Sequence, residues 1–112
     1  MTGMLPDQRR SSRLLLALPI TVSGVDPENH TIFRLPGDTI VVNQHGALIR
    51  TTGDLIEGEE IMVTVASTGQ SGRARVVWSG FAYEGKYGIE LEAPGNLWGV
   101  HFPPDDWQAT GA

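Results

Sequence analysis

Apolar and polar residues alternate along most of this chain with a period close to two. Leu14, Leu16, Leu18, Ile20 and Val22 share one parity, while Thr21 and Ser23 fall on the other. That is the signature of a strand with one face buried and one face wet, and it predicts a first strand from about Leu14 to Ser23. Gly24 to Asn29, with Asp26-Pro27 inside it, reads as a turn, and His30 to Leu35 as a second strand ahead of Pro36-Gly37. Thr39 to Asn43 is rich in β-branched residues and is closed by Gln44-His45-Gly46, after which Ala47 to Thr51 continues extended. Leu55 to Glu60 makes a tight turn into Ile61 to Val65, where Ile61, Val63 and Val65 alternate with Met62 and Thr64. Ser67 to Gly72 is a polar hairpin loop. Arg73 to Ser79 places Ala74, Val76 and Trp78 on one face and Arg75, Val77 and Ser79 on the other. Phe81 to Lys86 turns the chain back, and Tyr87 to Leu91 aligns Tyr87, Ile89 and Leu91. On this alternation Trp78 and Tyr87 are expected in the core rather than as stacking platforms.

About six or seven short strands at such spacing, with no long segment of period 3.6 to compete, predict an all-β fold. A small antiparallel barrel or sandwich satisfies it. With 112 residues the chain is one domain. It divides into an irregular arm at 1–13, a barrel at 14–92 and a tail at 93–112. Pro6 and Asp7-Gln8 oppose a long helix in the arm. In the tail, Leu97, Trp98, Phe102 and Trp107 lie among Pro94-Gly95 and Pro103-Pro104. So much apolar area is expected to return to the barrel, as a short helical turn or a plug over its mouth.

Charge adds a second layer. Three of the eight Lys and Arg residues fall within Arg9-Arg10-Ser11-Ser12-Arg13, although the net charge is -5. Outside those five positions, five basic residues face thirteen acidic ones, a balance of -8. The arm is therefore a positive pole on an acidic domain, and the first suspect is an anionic ligand. The acidic balance opposes a broad DNA- or RNA-binding surface and general adhesion to anionic membranes. Arg9 to Arg13 followed by Leu14 to Leu18 has the charged-then-apolar order of a secretory signal, but the strand alternation speaks against it. The run is too short to span a bilayer, so no membrane insertion is expected. There is no cysteine, hence neither a disulfide nor a thiolate metal site. A reducing compartment suits such a chain, and the cytoplasm is the expected location.

Two features would hold an anion: Arg9 and Arg13, four apart, whose planar guanidinium groups can grip phosphate or the O6 and N7 edge of guanine, and the turn Asn43-Gln44-His45-Gly46. Gly46 would let backbone amides approach a phosphate. A plainer alternative makes the arm a solvated tail and Gly46 an ordinary turn residue. His30, His45 and His101 show no ligand spacing, so no metal site is expected. Asp105-Asp106 reads as a solvated turn or helix cap. Ser11, Ser12 and Ser79 lack a G-x-S-x-G context or a paired base, and no acid, base or nucleophile set is visible, so no enzyme is expected.

Taken in order, Arg9-x-x-x-Arg13, Val41 to Leu48, Gly58, Ala74-Arg75-Val76-Val77-Trp78 and Tyr87-Gly88-Ile89-Glu90-Leu91 resemble a PilZ domain over about residues 9 to 92. No single motif is specific; their order and spacing carry the resemblance. It implies a six-stranded antiparallel barrel with an N-terminal arm. It also implies a receptor or adaptor for the bacterial second messenger cyclic di-GMP, gripped by an RxxxR arm and a D/N-x-S-x-x-G strand-turn. Arg9 and Arg13 match the arm's arginines, with Arg10 an adjacent third. Gly46 matches the motif glycine, Asn43 stands at the usual serine, and His45 in the turn is placed to stack or donate. Val41 takes the usual acidic or amide position and cannot accept from guanine N1 and N2. Such a loss is worth about 1 to 3 kcal/mol, or roughly 5- to 150-fold in affinity. The resemblance implies no cofactor beyond the ligand itself. No output domain is legible, so a protein partner is expected to carry the signal, the receptor being a monomer or weak homodimer. The alternative is a degenerate adaptor of the same fold that binds no nucleotide and acts through protein contacts, by its aromatic tail or an exposed sheet edge.

Overall fold

A computed structural model describes residues 12–26, 28 and 30–109 of the chain. Of the expected arm only Ser12 and Arg13 are included, so Arg9 and Arg10 lie outside the described residues. The strands are β1 (Leu14–Leu15), β2 (Pro19–Val25), β3 (Ile32–Asn43), β4 (Gly46–Thr51), β5 (Glu60–Val65), β6 (Ser71–Phe81) and β7 (Lys86–Leu91). A single 3-10 turn at Ala82–Glu84 joins β6 to β7, and one short helix, α1, spans Asp106–Ala109. The fold is a closed six-stranded antiparallel barrel, running β3-β2-β5-β6-β7-β4 and back to β3, with β1 added as an extra strand on β3. Closure pairs the backbone groups that an open sheet would leave bare. The exposed edge considered above as a partner surface therefore shrinks to β1.

Alternation set the core. Ile20 and Val22 of β2, Val42 of β3, Ile49 of β4, Ile61, Val63 and Val65 of β5, Ala74 and Val76 of β6, and Tyr87, Ile89 and Leu91 of β7 are all buried. Tyr87 sits in the core as expected, and its hydroxyl accepts from Leu55 N at 3.2 Å and donates to Gly53 O at 3.3 Å. This bonding holds the loop before β5 against the barrel.

Three local expectations changed. The first strand is not continuous from Leu14 to Ser23, because the chain leaves the ladder between β1 and β2. Thr39 splices the gap: its hydroxyl donates to Leu16 O at 2.6 Å and accepts from Leu18 N at 2.9 Å, while its own amide donates to Leu18 O at 3.0 Å. Leu14, Leu16 and Leu18 keep their common inward parity across the break. Second, Pro36-Gly37 does not end a strand. β3 runs through it, pairing with β2 from Ile32 to Asp38 and with β4 from Gly37 to Asn43, so the pair lies where the strand changes partner. A side chain at Gly37 would run into the Arg50 carbonyl.

The third change concerns Trp78. Val76 pairs with Ile89 but Trp78 pairs with Gly88, so two residues of β6 oppose one of β7. This bulge reverses the parity at Trp78, up to a second register shift between Trp78 and Phe81. Trp78 leaves the core for the outer face and is 41% exposed, where the uninterrupted alternation had placed it inside.

The tail packs back on the barrel. Trp98 and Trp107 are buried. Trp98 Nε1 donates to Asn43 O at 2.9 Å and Trp107 Nε1 to Ser12 O at 2.7 Å. Phe102, by contrast, is 93% exposed and contributes nothing to this seal. Among the described residues no helix is long and apolar enough to cross a membrane.

Candidate ligand-binding site

Because strand neighbours alternate in facing, the register across β1, β3, β4, β7 and β6 lays out two adjacent rows of residues on the barrel's outer side. One joins Leu15, Val41, Leu48, Gly88 and Trp78. The next joins Asn43, Gly46, Glu90 and Arg75. Arg13 precedes β1, beside Asn43 if the β1–β3 register is carried one residue further. A groove of about 590 Å³ lies over these rows, and its walls include Arg13, Val41, Asn43, His45, Gly46, Leu48, Trp78 and Glu90. The sequence-predicted residues Arg13, Asn43, His45 and Gly46 thus come together, from segments thirty residues apart.

Each side chain is placed by identifiable physics. The Asn43 amide oxygen accepts from His45 N at 2.8 Å and from Gly46 N at 2.9 Å. This side-chain-capped turn is a local preference of asparagine. It also changes what the turn offers: the two amides suggested as phosphate donors are satisfied within the turn, which leaves the Asn43 Nδ2 donor for a ligand. Gly46 is required by proximity. It is not among the glycines of positive φ, and a side chain there would run into the Ile89 carbonyl on β7. Its absent side chain is what lets β4 approach β7 beneath the groove.

The turn is fastened from behind by the tail and by the end of β7. Gly95 N donates to Gln44 O at 2.9 Å and Leu91 N to His45 O at 2.7 Å, while Trp98 holds the Asn43 carbonyl. Gln44 is fully buried there, its Nε2 donating to Asp106 O at 3.5 Å. Asp106 is more than the solvated turn expected of it: its Oδ2 accepts from both Ser12 N and Ser12 Oγ at 2.9 Å. Ser12 immediately precedes Arg13, so one tail segment grips both sequence-distant halves of the groove.

On the open side, Arg13 is exposed and has no hydrogen-bond or ion-pair partner among the described residues. The Trp78 side chain lies against Gly80 and Gly88: an added Cβ would meet the indole Cζ2 at 2.6 Å at Gly80, and the Trp78 Cβ at 3.1 Å and the indole Cε3 at 3.7 Å at Gly88. Glycine at both positions lets the ring lie close to the backbone. Phe81 meets Trp78 edge-on at 5.2 Å between ring centres, and Tyr83 meets Phe81 likewise at 5.9 Å. This exposed aromatic chain runs on from Trp78, the member of it that lines the groove.

Sequence reasoning missed Trp78 and Glu90. The outward parity of Glu90 was legible in Tyr87-Gly88-Ile89-Glu90-Leu91, but its place beside Gly46 depends on the long-range β4–β7 register. A second groove, of about 510 Å³, shares His45 and Glu90 with the first and runs toward Arg73, Arg75 and Glu60. Arg75 and Glu60 bridge at 3.0 Å across largely exposed side chains, a pair worth little to stability. Among the described residues no group of three or more histidine or acidic side chains is placed to hold a metal ion. Comparison with known proteins returned no matching family model, no matching curated protein and no matching solved structure.

Proposed function

We propose that the chain is a PilZ-type receptor or adaptor that binds cyclic di-GMP in the groove between Arg13 and Trp78 and passes the signal to another protein. The observation that carries this is the convergence of Arg13 with the Asn43–Gly46 turn beside an exposed indole. A cyclic dinucleotide presents two kinds of surface, anionic phosphates and flat purines. Arg13 supplies a fork of donors for a phosphate or for guanine O6 and N7, and Asn43 Nδ2 adds a neutral donor. Trp78 supplies a face on which a purine stacks, an interaction worth about 1 to 3 kcal/mol per base. Arg9 and Arg10, just upstream, would add charge to the same pole. Binding rather than catalysis is proposed; among the described residues lining the groove there is no serine, threonine or cysteine.

Calorimetric titration with cyclic di-GMP tests this. Saturable binding is expected in the wild type, with at least a tenfold loss in Arg13→Ala, the order of magnitude of a charge-assisted bidentate contact. A second reading, a nucleotide-free adaptor of the same fold, is favoured by Val41 and by the exposed Trp78-Phe81-Tyr83 chain. Absence of binding heat with an intact fold would select it.

A further inference from the structure

Resting on the reading of this groove as a cyclic di-GMP site, we infer that Asp106 is a positioning residue for it: without touching the ligand, it holds Ser12 so that Arg13 stays at the groove wall. Every polar group of Ser12 is taken up by one short stretch of the tail. The Ser12 amide and hydroxyl both donate to Asp106 Oδ2 at 2.9 Å, and the Ser12 carbonyl accepts from Trp107 Nε1 at 2.7 Å.

The sheet alone fixes Arg13 poorly. Among the described residues β1 is two residues long and pairs only with β3, Leu14 with Val42 and Leu15 with Val41. So short a strand, bonded on one side, frays readily at its start. With Ser12 fastened, the backbone of Arg13 is tied down on both flanks, by the tail before it and by the ladder after it. Its exposed side chain is thereby kept to the groove wall that it shares with Asn43.

The same part of the tail holds the Asn43 side of the groove. Trp98 Nε1 donates to the Asn43 carbonyl at 2.9 Å, and the Asp106 carbonyl accepts from Gln44 Nε2 at 3.5 Å. Trp98 and Trp107 are anchored by burial, so the core sets where Asp106 stands. One element therefore sets Arg13 against Asn43 before any ligand arrives. A ligand bridging the two need not order Arg13 itself, which is the gain from pre-organisation.

Charge alone points the other way. The Asp106 carboxylate bonds to Ser12, next to Arg13, and a negative charge there repels an anionic ligand. A favourable contribution from Asp106 must come through geometry, and the two effects differ in sign.

The test is calorimetric titration with cyclic di-GMP, read beside urea unfolding. Asp106→Ala should bind about 5- to 30-fold more weakly than the wild type, the equivalent of one residue's backbone freedom. Its unfolding midpoint should fall only slightly, since the hydrogen bonds lost are exposed. Asp106→Asn keeps one acceptor oxygen for Ser12 and drops the charge, so it should bind at least as tightly as the wild type. Phe102→Ala alters the tail at an exposed side chain outside this grip and should change nothing. In an Arg13→Ala background, Asp106→Ala should cost no further affinity, because its effect passes through Arg13. Equal effects of the two Asp106 variants, of either sign, or no effect of Asp106→Ala, would overturn the positioning role and leave the receptor standing. So would a full loss that persists in the Arg13→Ala background. Where Arg13→Ala binds too weakly to read, the contrast between alanine and asparagine at 106 decides alone. No wild-type binding would instead overturn the receptor, and the role of Asp106 with it.

Discussion

The protein's three tryptophans divide into two kinds, and the division separates what builds the fold from what folding leaves exposed. Trp98 and Trp107 are 1% and 5% exposed, and each indole N–H donates to a backbone carbonyl, of Asn43 and Ser12 respectively. Trp78 is 41% exposed, and its N–H has no acceptor among the described residues. A buried indole with a satisfied donor is a structural element. An exposed one, laid against two glycines at the edge of a groove, is apolar area that folding alone leaves uncovered. The two kinds meet at the same turn: Trp98 holds the back of Asn43, and Trp78 faces the groove that Asn43 lines.

The sharpest way to break the comparison is to truncate one of each. Trp98→Ala is expected to destabilise the fold by about 3 to 5 kcal/mol, through lost burial and an orphaned Asn43 carbonyl. Urea unfolding would read this as a large fall in midpoint. Trp78→Ala should stay within about 1 kcal/mol of the wild type in the same assay, yet lose nucleotide affinity by roughly 5- to 150-fold. Equal destabilisation by both would erase the distinction. Gly46→Ala comes next. The added Cβ meets the Ile89 carbonyl, and overpacking of this kind typically costs about 1 to 3 kcal/mol. If the unfolding midpoint does not move, β4 and β7 are not in the contact described.

How much of this was open to a reader of the sequence depends on the range of the interaction involved. Parity, a local property, correctly placed Ile20, Val22, Val63 and Tyr87 inside, and even carried Leu16 and Leu18 across a break in the strand. It failed at Trp78, because a one-residue bulge after Val76 leaves no mark in the alternation of β6 itself and is set by pairing with β7. Pro36-Gly37 looked like a boundary for a similar reason: its tolerance inside β3 comes from the strand's change of partner. Within the site, Arg13, Asn43, His45 and Gly46 were visible as candidates, and the groove unites them. The Glu90 position beside Gly46 and the Asp106 grip on Ser12 both join segments far apart in the chain, the latter across ninety-four residues.

That grip gives the smallest expected effect. Asp106→Ala removes two exposed hydrogen bonds to Ser12, and a loss of about 0.5 to 1.5 kcal/mol in stability is expected. Hydrogen exchange should show the Ser12 amide opening faster while the barrel amides keep their protection. Unchanged exchange at Ser12 would mean that the tail does not hold the start of β1.

The central claim, that Trp78 forms a wall of a nucleotide site, is tested most directly by tryptophan fluorescence during titration with cyclic di-GMP. The exposed indole emits to the red of the two buried ones, so stacking of a purine on it should quench the red edge of the spectrum saturably. In Trp78→Phe that component and its quenching should both be absent, leaving Trp98 and Trp107 unresponsive. An unquenched wild-type spectrum at saturating ligand, or the same quenching in the variant, would contradict the account.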